Sequence, residues 1–158
     1  MRHRDVLVDA LIAGAWAAAL SGIPSTLHEL LSGGDPMQAT RAAGAMLIPP
    51  DASDVALLAA AIVVHAAVTL FWALVLAFAL PRRHVVAWSV GALALVAVLD
   101  LRVIARYFFP EVYALPFTPQ LADHLAWGAT FGAALAWRRG ARLVDAKRTR
   151  GPAEPRDP

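Results

Sequence analysis

Four blocks of the chain are apolar and almost free of charge, and their lengths predict membrane-spanning helices. Residues 10–28, 55–80 and 85–99 contain no Asp, Glu, Lys or Arg. Apolar runs of about 18 residues or more are typical of transmembrane helices. We therefore predict spans at about 6–23, 55–80, 85–101 and 121–137, and leave open a helical continuation of the third span toward residue 109.

These spans predict an all-α, polytopic integral membrane protein whose residues 1–140 form a four-transmembrane-helix bundle. The connections 24–54 and 102–120 lie on one side of the bundle and are expected to form an outer cap. Within the first connection we predict short interfacial helices. One would start at a capping box, Thr26–Glu29, and end at Gly33 and Gly34, and the next would start at Asp35 and Pro36.

The second connection contains Pro110, Pro116 and Pro119, so we expect it to be mostly non-helical. Thr118 followed by Pro119 matches the start of a helix and is predicted to cap the fourth span.

Composition supports this class of protein and excludes several others. Hydrophobic residues make up 59% of the chain and charged residues 16%, whereas a soluble domain is about half apolar and about a quarter charged. A soluble globular enzyme and a disordered chain are therefore excluded. The absence of cysteine excludes disulfides, zinc–thiolate sites and iron–sulfur clusters. We find no catalytic motif, and we expect no enzyme activity, no catalytic residue, no metal and no cofactor.

The distribution of Lys and Arg predicts the orientation in the membrane. Eleven of the fourteen flank the predicted spans on the side of the two termini, and only Arg41, Arg102 and Arg106 lie on the other side. By the positive-inside rule, both termini are cytoplasmic in a multi-pass protein of the inner (plasma) membrane. The basic isoelectric point thus reflects topology, and we expect no nucleic-acid partner. Residues 141–158 are expected to be a basic, disordered cytoplasmic tail.

The first span has an alternative interpretation as a cleaved signal peptide, since a basic start precedes an apolar stretch and alanine-rich steps. Asp9 inside that stretch argues against cleavage, so we expect a retained span.

Small residues at four-residue spacing mark two helix faces that would allow close helix packing. The residues could serve homodimerisation or contacts within one bundle, and we favour the second. They are Gly14, Ala18 and Gly22 in the first span, and Gly128 and Gly132 in the fourth.

His65 lies near the middle of the second span, where an ionisable residue is a candidate functional group. The alternative is a neutral imidazole hydrogen-bonded to a backbone carbonyl or a hydroxyl of another span. His124 lies too close to the outer surface to form a haem-ligating pair with His65. We favour the structural interpretation of His65.

Polar residues also cluster at the predicted outer boundary, where they could handle protons or a divalent cation. A structural role is favoured: Asp123 would sit at a helix N-terminus and pair with Arg102 or Arg106. By the same logic Asp9, near the cytoplasmic boundary, should pair with Arg4 or Arg82. The outer cluster comprises His28, Glu29, Asp100, Arg102, Arg106, Asp123 and His124.

The function expected from these features is that of a non-enzymatic accessory or self-associating membrane subunit. Its expected partners are the lipid bilayer and either a second copy of the chain or another membrane protein. The alternative is a small proton or cation transporter or channel that uses His65 and the outer cluster.

Overall fold

The computed structural model describes residues 3–149, and within them every regular element is a helix, which confirms the all-α prediction. The helices are α1 (His3–Ser21), α2 (Ile23–Ser32), α3 (Gln38–Gly44), α4 (Asp54–Ala79), α5 (Val85–Val98), α6 (Ala105–Phe108), α7 (Pro110–Tyr113) and α8 (Phe117–Thr149), with a π-helical segment at Leu99–Ile104 between α5 and α6.

Three stretches of the described chain are long and apolar enough to cross a membrane: Arg4–Ser32, Asp54–Ala79 and Val85–Phe108. The first joins α1 to α2 through a bend at Gly22, and the third runs through the π-helical segment into α6. The longest helix, α8, is not among them, since Asp123 and His124 interrupt its apolar half.

The central helix of the bundle is α8, which packs against α5 on one side and α1 on the other, while α1 also packs against α4. The core between them is built from small residues of α1 and α4 and large residues of α8. In α8, the Trp127 and Phe131 rings stack with centroids 4.9 Å apart, and Trp127 Nε1 donates to Thr69 Oγ1 at 3.4 Å. The buried alanines of α1 and α4 are Ala10, Ala13, Ala17, Ala60, Ala61, Ala73 and Ala77.

Glycines bring the backbones of these helices into contact. A Cβ atom on Gly132 would lie 2.8 Å from Val86 Cα, and one on Gly128 would lie 3.0 Å from the Ser89 carbonyl, both on α5. Gly14 faces Ala73 on α4 in the same way, whereas Gly22 has open space around it. The predicted small-residue faces therefore contain three glycines that pack inside one copy of the chain.

The helices place two sets of connections at opposite ends. One is called the basic end: it comprises the start of α1, the α4–α5 loop (80–84) and α8 from Arg138 onward. The other is called the capped end: it comprises α2, α3, α6, α7 and the start of α8.

Helix starts at the capped end differ from the prediction. The capping box at Thr26–Glu29 does not form, because α2 already begins at Ile23 with a proline in its first turn. Gly33, with φ of 73°, ends α2 as predicted. The Asp35 carboxylate accepts from the Met37 N–H at 2.9 Å, so α3 starts at Gln38, later than predicted.

The α3 helix is held against the start of α4. Gly44 touches the Leu57 backbone so closely that no side chain would fit there. Arg41 pairs with Asp35 and lies 3.7 Å from the Asp54 carboxylate. The first connection is thus docked onto the bundle.

The second connection is more helical than predicted, since α6 and α7 occupy most of it. The α8 helix begins at Phe117, one residue before the predicted cap at Thr118. It extends through Thr149, into the segment 141–158 that the sequence analysis predicts to be disordered. The rest of that segment, 150–158, lies outside the described residues.

Candidate functional site

At the capped end, Asp123 binds the start of a neighbouring helix. Its Oδ1 accepts a hydrogen bond from the backbone N–H of Ser25 at 2.9 Å, in the first turn of α2. A carboxylate that accepts from the free N–H groups at a helix start acts as a cap. Asp123 therefore fastens α2 to α8, and the helix start that it contacts is that of α2.

The predicted ion pair between Asp123 and Arg102 or Arg106 does not form. The Arg102 guanidinium carbon lies 4.2 Å from the Phe117 ring centroid, and that of Arg106 lies 5.9 Å from the Tyr107 ring centroid. Within residues 4–142, neither arginine contacts a carboxylate. Both guanidinium groups are thus placed by aromatic rings.

His124 and Asp100 form the one ion pair within the predicted outer cluster that the described residues show. The imidazole Nε2 lies 3.8 Å from the Asp100 carboxylate in the π-helical segment. On the other side of the ring, Nδ1 lies 2.8 Å from the Gln120 carbonyl. A carbonyl only accepts, so Nδ1 carries a proton. Nε2 then faces a carboxylate, an arrangement that favours the doubly protonated imidazolium.

The remaining cluster members stay apart from this pair. His28 is exposed on α2, and the Glu29 carboxylate folds back toward Gly34 at the end of the same helix. In the described part of the chain, no three His, Asp or Glu side chains come together in a way that would hold a metal ion.

His65 makes a structural contact between α4 and α1. Its Nε2 lies 3.1 Å from the Ala18 carbonyl, so Nε2 carries the proton and donates it. The ring is otherwise exposed on the side of the bundle.

At the basic end, Asp9 is completely buried and pairs with two arginines of α8. Its Oδ1 accepts from Arg138 Nε at 3.0 Å and from an Arg142 terminal nitrogen at 2.8 Å. The predicted partners, Arg4 and Arg82, are not the ones that bind it. The second carboxylate oxygen, Oδ2, is buried and has no hydrogen-bond partner.

This pairing is a ladder between two antiparallel helices. Asp5 and Asp9 are four residues apart on α1, and Arg138 and Arg142 are four apart on α8, so each pair lies on one helix face. Arg142 reaches both carboxylates, at 2.8 Å each. Burial acts to lower the pKa of Arg142, but its hydrogen bonds to Asp5 and Asp9 outweigh burial and raise it. The sequence analysis did not predict this site, although the four-residue spacing shared by the two aspartates and the two arginines could have indicated it.

Arg139, also on α8, contacts no carboxylate among the side chains that the structure describes. Its terminal nitrogens donate to the carbonyls of Ala77, at 3.0 Å, and Pro81, at 3.5 Å, at the end of α4. Its Nε is buried and has no acceptor. Burial lowers the pKa of Arg139 and the positive charge of Arg82 lowers it further, whereas Asp9 acts in the opposite direction.

Two clefts lie on the surface of the bundle, away from these polar groups. One, of about 430 Å³, is an open groove between α1 and α8 with Trp16 and Trp137 at its walls. The other, of about 190 Å³, lies at the capped end between α3 and α7. His65, Asp123 and His124 line neither of them.

Comparisons with protein families, with curated proteins and with solved structures find no match for this chain.

Proposed function

We propose that the chain is a four-span integral membrane protein of the inner membrane, with the basic end in the cytoplasm. The observation that carries this proposal is an inverted distribution of apolar residues. Most buried residues of α1 and α4 are alanines, and Leu57 and Leu76 are the large exceptions. Other large apolar side chains of these helices, such as Leu11, Ile62 and Phe71, are more than half exposed. Water disfavours such a surface, whereas lipid tails solvate it.

The fourth span in this proposal is α8, in spite of its lower hydropathy. The helix has 33 residues and is therefore about 50 Å long, enough to cross a hydrocarbon core of about 30 Å. Its polar side chains contact protein: Asp123 binds Ser25, and Arg138 binds Asp9. A helix surrounded by other helices needs less apolar surface than one that faces lipid on most sides.

Within the membrane, we propose a non-enzymatic role as an accessory or self-associating subunit. Support comes from the way the polar side chains are used, since Asp9, Asp123 and His65 each fasten one helix to another. Side chains occupied in this way serve contacts between helices. The open groove between α1 and α8 offers small and aromatic side chains to a neighbouring helix.

The test is purification in a mild detergent, with membrane extraction by alkaline carbonate beforehand. We expect the chain to stay in the carbonate-resistant membrane fraction. After solubilisation we expect a homo-oligomer by light scattering, or one stoichiometric partner by mass spectrometry. A chain released by carbonate would contradict the membrane proposal, and a lone monomer would contradict the subunit proposal.

The second candidate, a proton or cation transporter, is favoured by one observation. At the capped end, His124 lies 3.8 Å from the Asp100 carboxylate and directly follows Asp123 in the chain, so three ionisable side chains come from adjacent positions there. A proton flux into proteoliposomes that His65→Leu abolishes would establish this candidate and remove the first. Equal leak in wild type, His65→Leu and protein-free liposomes would exclude it.

A further inference from the structure

Among the side chains that the structure describes, the basic end contains more positive charge than its carboxylates neutralise. The described carboxylates there, Asp5 and Asp9, are both engaged by the α8 arginines of the ladder. In the described part of the chain, Arg139 and Arg82 have no carboxylate partner. Because Asp9 is fully buried, an anion approaching from outside would meet the guanidinium groups and not this carboxylate.

Geometry brings these two cations together. Arg139 reaches from α8 to the carbonyls of Ala77 and Pro81, which places its guanidinium beside the start of the α4–α5 loop. Arg82 is the next residue of that loop and is exposed. Arg139 therefore contacts the residue directly before Arg82, and the two like charges repel each other. An anion bound between them would relieve that repulsion and gain two attractions.

The position of the pair along the bundle indicates the kind of anion. Arg139 follows Trp137, which is 68% exposed, and Arg82 follows the last apolar residues of α4. Tryptophans of this kind lie at the level of lipid headgroups. A guanidinium matches the geometry of phosphate oxygens, and each terminal nitrogen of Arg139 carries a second N–H beyond the one that it donates to a carbonyl.

We propose that Arg82 and Arg139 bind the phosphate of an anionic phospholipid at the cytoplasmic boundary of the bundle. This inference depends on the proposed membrane insertion and adds a ligand that the insertion alone does not specify. The acyl chains would lie along the apolar faces of α4 and α8, and the headgroup would bridge the α4–α5 loop to α8. The lipid would thereby bridge two elements that few direct backbone contacts hold together.

The test measures lipid retention by native mass spectrometry of the purified full chain in detergent. The probes are dioleoyl phosphatidylglycerol and, as the uncharged comparison, dioleoyl phosphatidylcholine. Each arginine near an anionic headgroup contributes about fivefold in affinity, so we expect Arg82→Gln to weaken phosphatidylglycerol binding about fivefold. The double variant with Arg139→Gln should weaken it by more than tenfold, with phosphatidylcholine unchanged.

The matched control is Arg106→Gln, which removes an arginine that also lacks a carboxylate partner but lies at the capped end. It should leave phosphatidylglycerol binding unchanged. Glycerol 3-phosphate in excess distinguishes the two sources of phosphate: a lipid site keeps its phosphatidylglycerol, whereas full displacement would overturn the lipid proposal in favour of a free phosphate ester.

Equal phosphatidylglycerol binding by wild type and the double variant would also overturn the inference. Should Arg139→Gln fail to fold, Arg82→Gln decides the question alone, because Arg82 is exposed in a loop. Carbonate extraction of every variant distinguishes failure of the lipid proposal from failure of the membrane proposal. If the double variant stays in the membrane and binds phosphatidylglycerol as well as wild type does, only the lipid site is refuted.

Discussion

The two ends of the bundle use carboxylates in different ways. At the basic end, one fully buried carboxylate, Asp9, pairs with two arginines of α8. The capped end also contains ion pairs, at Arg41 and at His124. Its Asp123, however, caps α2, and its Arg102 lies on an aromatic ring. The carboxylate that joins α8 to its neighbour therefore binds arginines at the basic end and a helix start at the capped end.

This difference shows why α8 carries so many polar residues. The helix supplies Arg138 and Arg142 at one end and Asp123 and His124 at the other, and each contacts another element. The energetic consequence differs between the ends. Removing Asp9 takes one ion-pair partner from each of two arginines, whereas removing Asp123 takes away only a helix cap.

The largest effect should therefore come from Asp9→Asn. The substitution keeps the size of the side chain but leaves Arg138 and Arg142 without a buried counter-ion. We expect a loss of about 3 kcal/mol, the lower end for a broken buried pair, because both arginines keep some contact with water. Reversible unfolding in detergent measures it. Asp5→Asn, which removes the more exposed carboxylate, should cost less than about 1 kcal/mol. Equal losses of stability for the two variants would refute the ladder.

Helix packing should show the next largest effect. Gly132→Leu forces a side chain against the α5 backbone and should destabilise by about 1–3 kcal/mol. Gly140→Leu has open space around it and serves as the matched control. Thermal melts in detergent compare the two, and identical melting temperatures would mean that α8 and α5 do not approach at Gly132.

Asp123 gives a smaller effect that separates capping from ion pairing. Asp123→Ala should cost about 1 kcal/mol, as for a lost helix cap, whereas Asp123→Asn should cost only a few tenths, because asparagine caps about as well. The same unfolding assay applies. If asparagine proved as damaging as alanine, charge pairing with Arg102 or Arg106 would be the better explanation.

The smallest effect should come from His65→Leu, at under about 0.5 kcal/mol. The lost hydrogen bond to the Ala18 carbonyl is offset by removing a polar ring from the exposed side of the bundle. A loss of several kcal/mol would show that this contact holds α4 to α1.

The long helices were predictable from the sequence because apolar run length depends only on local composition. The α4 helix at Asp54–Ala79 nearly matches the predicted 55–80. The third span continues as a helix beyond residue 101, which the sequence analysis allows. Helix starts were less predictable. The Thr26–Glu29 pattern fits a capping box, but Asp123 from a distant part of the chain supplies the cap instead.

Partner choice among charged residues was the least predictable feature. Arg4 and Arg82 were predicted as partners of Asp9 because they flank the spans at the same end, whereas the antiparallel packing of α1 and α8 selects Arg138 and Arg142. That selection depends on which helices are neighbours. The hydropathy pattern does not contain this information.

The central claim is that α8 crosses the membrane although its own hydropathy is low, and labelling at its two ends tests it most directly. Single cysteines replace Thr118 and Thr149 in this cysteine-free chain, with Ser32→Cys and Ser53→Cys as further positions at the capped end. An impermeant maleimide is added to intact cells. We expect labelling at positions 32, 53 and 118 and none at 149 until the cells are lysed. Labelling of 118 and 149 from the same side would contradict the account.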